Sequence, residues 1–142
     1  MKKIAIFLIG LTMAGGAHAI IGETYEKADI QPCEGEEYRH LSCTRVGAVV
    51  NGTVVEYYEN GDLKFETPYR GGQKHGLARE YYENPVTGLP RHIKTETNYE
   101  YGKNIMVKTY YESGSIRMIM NHETGHFQDY KEDGKLRSER MK

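Results

Sequence analysis

The sequence predicts an all-β protein, an elongated single-layer antiparallel sheet of stacked β-hairpins. Three observations carry this expectation. A Tyr-Tyr-Glu unit with a glycine turn recurs along the chain, β-forming residues alternate with period two around it, and no apolar stripe of helical spacing occurs. Composition agrees. The 142 residues are 38% hydrophobic, with 16 Gly, 12 Tyr, 3 Phe and no Trp, against an ordinary apolar content of about 45–50%. So few aliphatics leave no material for a leucine-packed helical bundle. The glycines lack the three-residue period of collagen, and the aromatics with a net charge of -1 argue against disorder.

The first nineteen residues read as a secretory signal peptide. Lys2 and Lys3 give a positive start, Ile4 to Met13 is almost wholly apolar, and Ala17-His18-Ala19 has the small-x-small cleavage pattern. The apolar run falls short of the ~20 residues that span a bilayer. Cleavage after Ala19 is expected, giving a periplasmic or secreted protein. It removes two of the 19 Lys+Arg and none of the 20 Asp+Glu, leaving a net charge of −3. Without a basic footprint, nucleic acid is not an expected partner. Charge-driven association with an anionic membrane is equally unsupported.

Residues 20–50 form an aliphatic-poor segment holding both cysteines. In an oxidising compartment Cys33 and Cys43 are expected to form one disulfide. Metal thiolates would want more ligands, and only His40 lies near. Closing this short loop is worth about 2–3 kcal/mol on the chain-entropy model. The bond is expected to staple Gly22 to Arg45 onto the hairpin repeats.

Residues 51–142 carry the repeats. Val55 to Leu63 reads Val-Glu-Tyr-Tyr-Glu-Asn-Gly-Asp-Leu, and Arg79 to Asn84 reads Arg-Glu-Tyr-Tyr-Glu-Asn. Lys108 to Ile116 is Lys-Thr-Tyr-Tyr-Glu-Ser-Gly-Ser-Ile, and Gln128 to Leu136 is Gln-Asp-Tyr-Lys-Glu-Asp-Gly-Lys-Leu. The second copy carries Pro85-Val86-Thr87 as an insertion before a matching Gly88-Leu89. A glycine five positions before the first tyrosine recurs as Gly52, Gly76 and Gly125, with Ile105 in the third copy. Asn-Gly and Asp-Gly predict two-residue hairpin turns with both central φ positive. Period two places Leu63, Phe65, Thr67 and Tyr69 on one face, and likewise Ile116, Met118 and Met120, and Ile105, Val107, Thr109 and Tyr111. Gly71-Gly72 and Tyr101-Gly102-Lys103 turn the chain into the next hairpin. A lone hairpin is marginal in water, so the units stack side by side.

Tyr-Tyr-Glu-Asn-Gly-x-Leu, followed by a Tyr-rich strand and a spaced glycine pair, resembles the bacterial variant of the MORN repeat over about residues 51–140. The resemblance implies a sheet of stacked hairpins acting as a non-catalytic scaffold for another protein. Some members of that group are antitoxin components of toxin–antitoxin pairs, and the alternative it implies is a protein that neutralises a partner toxin. The export signal departs from a cytoplasmic antitoxin.

His122-Glu123-Thr124-Gly125-His126 matches H-E-x-x-H, which on a helix puts two histidines on one face as zinc ligands. Here it follows a strand-like run and contains Gly125, so a link between hairpins is the expectation and a zinc peptidase the lesser alternative. No catalytic residue, metal site or cofactor site is expected. The candidate partner-binding residues are Tyr57, Tyr58, Tyr81, Tyr82, Tyr110, Tyr111 and Tyr130. In each adjacent pair the side chains point to opposite faces. A single layer cannot bury both faces against itself, so one row packs while the other stays accessible. Packing alone and partner recognition both account for the tyrosines at this level.

Overall fold

The computed structural model describes residues 22–84 and 91–142. The leader, its cleavage after Ala19, the Pro85-Val86-Thr87 insertion and the Gly88-Leu89 that follows it lie outside the described residues. The strands are β1 (Glu23–Glu26), β2 (Ile30–Pro32), β3 (Ser42–Thr44), β4 (Gly52–Tyr57), β5 (Leu63–Arg70), β6 (Gln73–Lys74) and β7 (Gly76–Tyr81). They continue as β8 (Ile93–Glu100), β9 (Lys103–Tyr110), β10 (Ile116–Asn121), β11 (Phe127–Tyr130) and β12 (Leu136–Arg140). One ten-stranded sheet runs β1-β4-β5-β7-β8-β9-β10-β11-β12, with β6 also on β5, and β2–β3 form a separate small pair. The all-β fold of stacked hairpins is therefore present. Among the described strands β1 departs from antiparallel order, lying parallel to β4. Gly52 makes that approach feasible: its φ is +146°, and a Cβ there would run into the Glu23 carbonyl.

Two kinds of turn alternate along the sheet, in the reverse of the expected places. At the Asn60-Gly61 site the Tyr58 amide donates to the Asp62 carbonyl at 2.8 Å and the Gly61 amide to the Tyr58 carbonyl at 3.0 Å. The same pair of bonds recurs at Tyr111–Ser115 and Lys131–Lys135. Only the glycine of each loop has positive φ: Gly61, Gly114 and Gly134. These are three-residue loops, a type I turn plus a left-handed glycine, not two-residue primed turns. The primed geometry sits at the other end of the hairpins, where Gly71 and Gly72 (φ +56° and +77°) join Arg70 to Gln73. Tyr101 and Gly102 (φ +44° and +80°) join Glu100 to Lys103 in the same way.

Each hairpin also carries a β-bulge just after its loop. Glu56 pairs with Phe65 but Tyr57 with Leu63, leaving Lys64 as the extra residue. The same skip leaves Lys94 between Ile93 and Thr95, Arg117 between Ile116 and Met118, and Arg137 between Leu136 and Ser138. The bulge breaks the simple alternation: Leu63 and Ile116 pair with Tyr57 and Tyr110 and share their face, whereas Phe65 and Met118 lie on the other. In the second copy Tyr81 pairs with Ile93 and the Tyr82 amide donates to the His92 carbonyl. Ile93 thus takes the place of Leu63, twelve residues after Tyr81 where Leu63 follows Tyr57 by six.

Residues 22–51 cap one end of the sheet. Cys33 and Cys43 are disulfide-bonded, with Cα atoms 4.9 Å apart. The bond closes the cap on itself; the cap is held to the repeats by backbone bonds, by the Lys27–Glu56 ion pair and by Asn51 Oδ1, which accepts from the Gly71 amide. Ser42 donates to the Gly72 carbonyl at 2.8 Å, and Gly72 to the Val50 carbonyl at 2.9 Å. The core is small: Val50 is fully buried, and Cys33, Cys43, Val54, Val55 and Ala78 are nearly so. At the far edge every residue of β12 is exposed.

Candidate functional site: two tyrosine rows on opposite faces

The sheet has two faces with different chemistry. On the first, called the cap face because the cap overhangs it, lie Val54, Phe65, Thr67, Val107, Met118, Met120 and Phe127. On the second, the open face, each hairpin places a tyrosine against an aliphatic residue across the ladder. The pairs are Tyr57–Leu63, Tyr81–Ile93, Tyr110–Ile116 and Tyr130–Leu136. Side chains directly opposite in an antiparallel pair share a face and touch.

The adjacent tyrosines separate as alternation requires, and their hydroxyls do different things. The Tyr58 hydroxyl donates to the Tyr81 carbonyl at 2.8 Å. Tyr82 donates to the Tyr110 carbonyl at 2.8 Å, and Tyr111 to the Tyr130 carbonyl at 2.9 Å. The second tyrosine of one hairpin thus fastens the backbone of the next. A second bond at each junction comes from the loop. Asn60 Nδ2 donates to the Asn84 carbonyl, and Ser115 Oγ to the Glu132 carbonyl. His92 Nδ1 lies 2.6 Å from the Glu112 carbonyl; a carbonyl only accepts, so this nitrogen carries the proton. In the fourth hairpin Lys131 stands where this tyrosine would be.

Beside this row lie the bulge cations. Lys64 Nζ is 3.3 Å from Glu56, Lys94 Nζ 2.7 Å from Glu80, and Arg137 3.2 Å from Asp129. The bulge makes this contact by putting the basic residue and its successor opposite one acid. The third hairpin has Thr109 in the acid's place, and there Arg117 lies over the Tyr111 ring. Lys64 likewise lies over Tyr58. The sequence reading missed these residues, although a basic residue follows Leu63, Ile93, Ile116 and Leu136 alike.

The first tyrosine row stands on the open face. Glu66, Arg79, Glu96 and Lys108 form a row of alternating charge across β5, β7, β8 and β9. Arg79 bridges its neighbours, with 3.2 Å to Glu66 and 3.2 Å to Glu96. Tyr81 donates to Glu66 at 2.6 Å and Tyr110 to Glu96 at 2.6 Å. Burial, then the bonded carboxylate, pushes each of these phenols up to about 12. The Tyr110 hydroxyl, then Arg79, holds Glu96 below the usual carboxylate range. Tyr57 is 50% exposed, Leu136 49% and Leu77, on the same face, 40%. The aliphatic partners of the tyrosines were not singled out in the sequence because the bulge hides their register.

The H-E-x-x-H spacing runs through a turn. Asn121 Oδ1 accepts from the Glu123 and Thr124 amides, and the Asn121 amide donates to the His126 carbonyl. His122 is thus the first residue of the link between β10 and β11, as a hairpin connection requires. His126 Nε2 lies 2.6 Å from Glu139 on β12. No cluster of three His, Cys, Asp or Glu side chains able to hold a metal occurs among the described residues.

A sheet of hairpins fastened to one another by recurring side-chain bonds defines a repeat protein. The family model described as MORN repeat variant matches residues 50–70 and 103–124. Those stretches are the β4–β5 and β9–β10 hairpins, and the match supports a MORN-repeat protein. MORN repeats are generally interaction scaffolds and generally non-catalytic. Comparison with curated proteins returned no match. Among the described residues no helix is long and apolar enough to cross a membrane.

Proposed function

We propose that the protein is an exported, non-catalytic repeat scaffold that binds another protein through its open face. The observation that supports this reading is the division of labour between the tyrosines. Tyr58, Tyr82 and Tyr111 are occupied in joining hairpins. The row on the other face combines half-exposed tyrosine and aliphatic side chains with Arg79 at its centre. Tyrosine and arginine are enriched in binding hot spots: tyrosine supplies contact area with a polar handle at small entropic cost, and Arg79 is already ordered between Glu66 and Glu96. The leader supports export, and the Cys33–Cys43 disulfide suits an oxidising compartment.

A photo-crosslinking residue placed at Tyr57 tests the surface, with Arg117 on the opposite face as its control. The reading expects a protein adduct from position 57 and none from 117. Adducts from both positions, or from neither, contradict it. The mass of the chain recovered from the envelope or medium tests export, and the reading expects residues 20–142.

A further inference from the structure

We infer that the groove between the cap and the cap face is a binding site for a small amphipathic carboxylate, an apolar chain or ring carrying one acid group. This site lies on the face opposite the proposed protein-binding surface and does not depend on it.

The groove encloses ≈ 570 Å³, within the size range of small-ligand sites, about 300–1,000 Å³. Its walls come from two different parts of the chain. The cap supplies Ile30, Pro32 and Leu41, and the sheet supplies Val54, Phe65 and Tyr69. Val54 is buried, while Phe65 and Tyr69 are only partly buried there. The two aromatic rings thus leave some apolar surface open at the floor of the groove.

Its rim is positive. Lys27, Arg39 and Lys74 line it against a single carboxylate, that of Glu56. Glu56 is already held between Lys27 at 2.7 Å and Lys64 at 3.3 Å, and Lys27, then Lys64, keeps its carboxyl below the usual range. It is thus committed as a counter-charge and is not free for a cationic ligand. Lys74 rests on the Tyr99 ring, 5.1 Å from its centre, with no carboxylate partner among the described residues. Arg39 reaches only Glu36, at 3.7 Å, with both side chains largely in water. A positive rim on a chain of net negative charge selects an anion.

Backbone geometry separates a small ligand from a peptide. A peptide captured by strand addition needs a free row of amides and carbonyls. Here β4 is paired on both sides by β1 and β5, and β5 by β4 on one side and by β6 and β7 on the other; β2 in the cap, paired with β3 along one edge, has only three residues ending in Pro32, too short a row for strand addition. Recognition in this groove falls to side chains, which suits a compact molecule with an acid at the rim and a hydrophobic body on Phe65 and Leu41.

Calorimetric titration of the purified protein with decanoate, and with decanol as the uncharged control, tests the site. The expected result is saturable one-site binding of decanoate and none of decanol. Lys74→Gln and Arg39→Gln together should weaken it at least tenfold, with the backbone amide spectrum otherwise unchanged. Tyr57→Ser, on the open face, should leave binding intact. Equal binding of decanoate and decanol, no saturation, or indifference to the rim substitutions overturns the assignment. A loss of binding in Tyr57→Ser also overturns it, because the ligand would then sit on the other face.

Discussion

Tyr57 and Tyr58 are neighbours in sequence and opposites in the fold, and the same is true of Tyr81 with Tyr82 and Tyr110 with Tyr111. The second member of each pair hydrogen-bonds backbone of the next hairpin. Of the first members, Tyr81 and Tyr110 bond carboxylates on the open face, and Tyr57 is half exposed there. One residue type repeated in tandem therefore does two jobs, decided by which way the strand's alternation points it. In a sheet without a second layer the second row substitutes for a core, since each junction is fixed by a ring and a hydroxyl. The steps between leading tyrosines are 24, 29 and 20 residues, yet the junction bond recurs at the same site, so loop length varies freely around a fixed fastening.

Truncating one member of each pair should break this symmetry most visibly. Tyr82→Ala removes a half-buried ring and leaves the Tyr110 carbonyl without its donor, a loss of about 2–3 kcal/mol. Tyr57→Ala, at an exposed site, should cost less than about 0.5 kcal/mol. Chemical denaturation of the two variants reads the difference.

The capped end offers the next contrast. Cys33→Ser with Cys43→Ser should destabilise by about 2–3 kcal/mol for so short a loop. Because the disulfide closes the cap on itself, the loss should fall locally. Amide exchange is expected to accelerate around Val50 and Gly72 while β9 to β12 keep their protection.

Two titrations sharpen the open-face chemistry. Tyr81 and Tyr110 are raised to about 12 in the folded protein, above the ordinary phenol near 10. Their contribution is fully present below about pH 10 and is lost as pH rises through the folded value. Phenolate absorbance should accordingly show a late fraction that Glu66→Gln moves part of the way down for Tyr81. Glu96 has the opposite sign. Its lowered value stabilises above the ordinary carboxylate pKa of about 4.3 and is lost as pH falls through the folded one. Glu96→Gln should flatten the acid limb of the stability profile, the smallest of these effects.

Much of this architecture was legible in residues 51–142. Four spaced Tyr-containing units, a glycine in each loop and period-two alternation give stacked hairpins. The cysteine pair was legible from its spacing together with the expected export. The turn types were not, because Asn60-Gly61 satisfies a three-residue loop as well as a primed one, and nothing in Tyr101 signals a left-handed backbone. Bulges were hidden for a related reason: one extra residue moves Leu63 across the sheet without changing composition. The position of Ile93 was obscured in the sequence because Gly88-Leu89 imitates the Gly-x-Leu of the other copies. The pairing of β1 was beyond reach, since Glu23-Thr24-Tyr25-Glu26 has no apolar face to announce a strand.

The central claim is that the second tyrosine row fastens hairpin to hairpin through its hydroxyls. The direct measurement compares unfolding free energies of two triple variants that delete only hydroxyls: Tyr58, Tyr82 and Tyr111 each changed to Phe, and Tyr57, Tyr81 and Tyr110 each changed to Phe. The account predicts a loss of about 3 kcal/mol in the first, about 1 kcal/mol per carbonyl deprived of its donor, and a smaller loss in the second, where Tyr81 and Tyr110 alone bond a carboxylate and Arg79 still pairs Glu66 and Glu96. Equal losses, or a larger loss in the second, would contradict it.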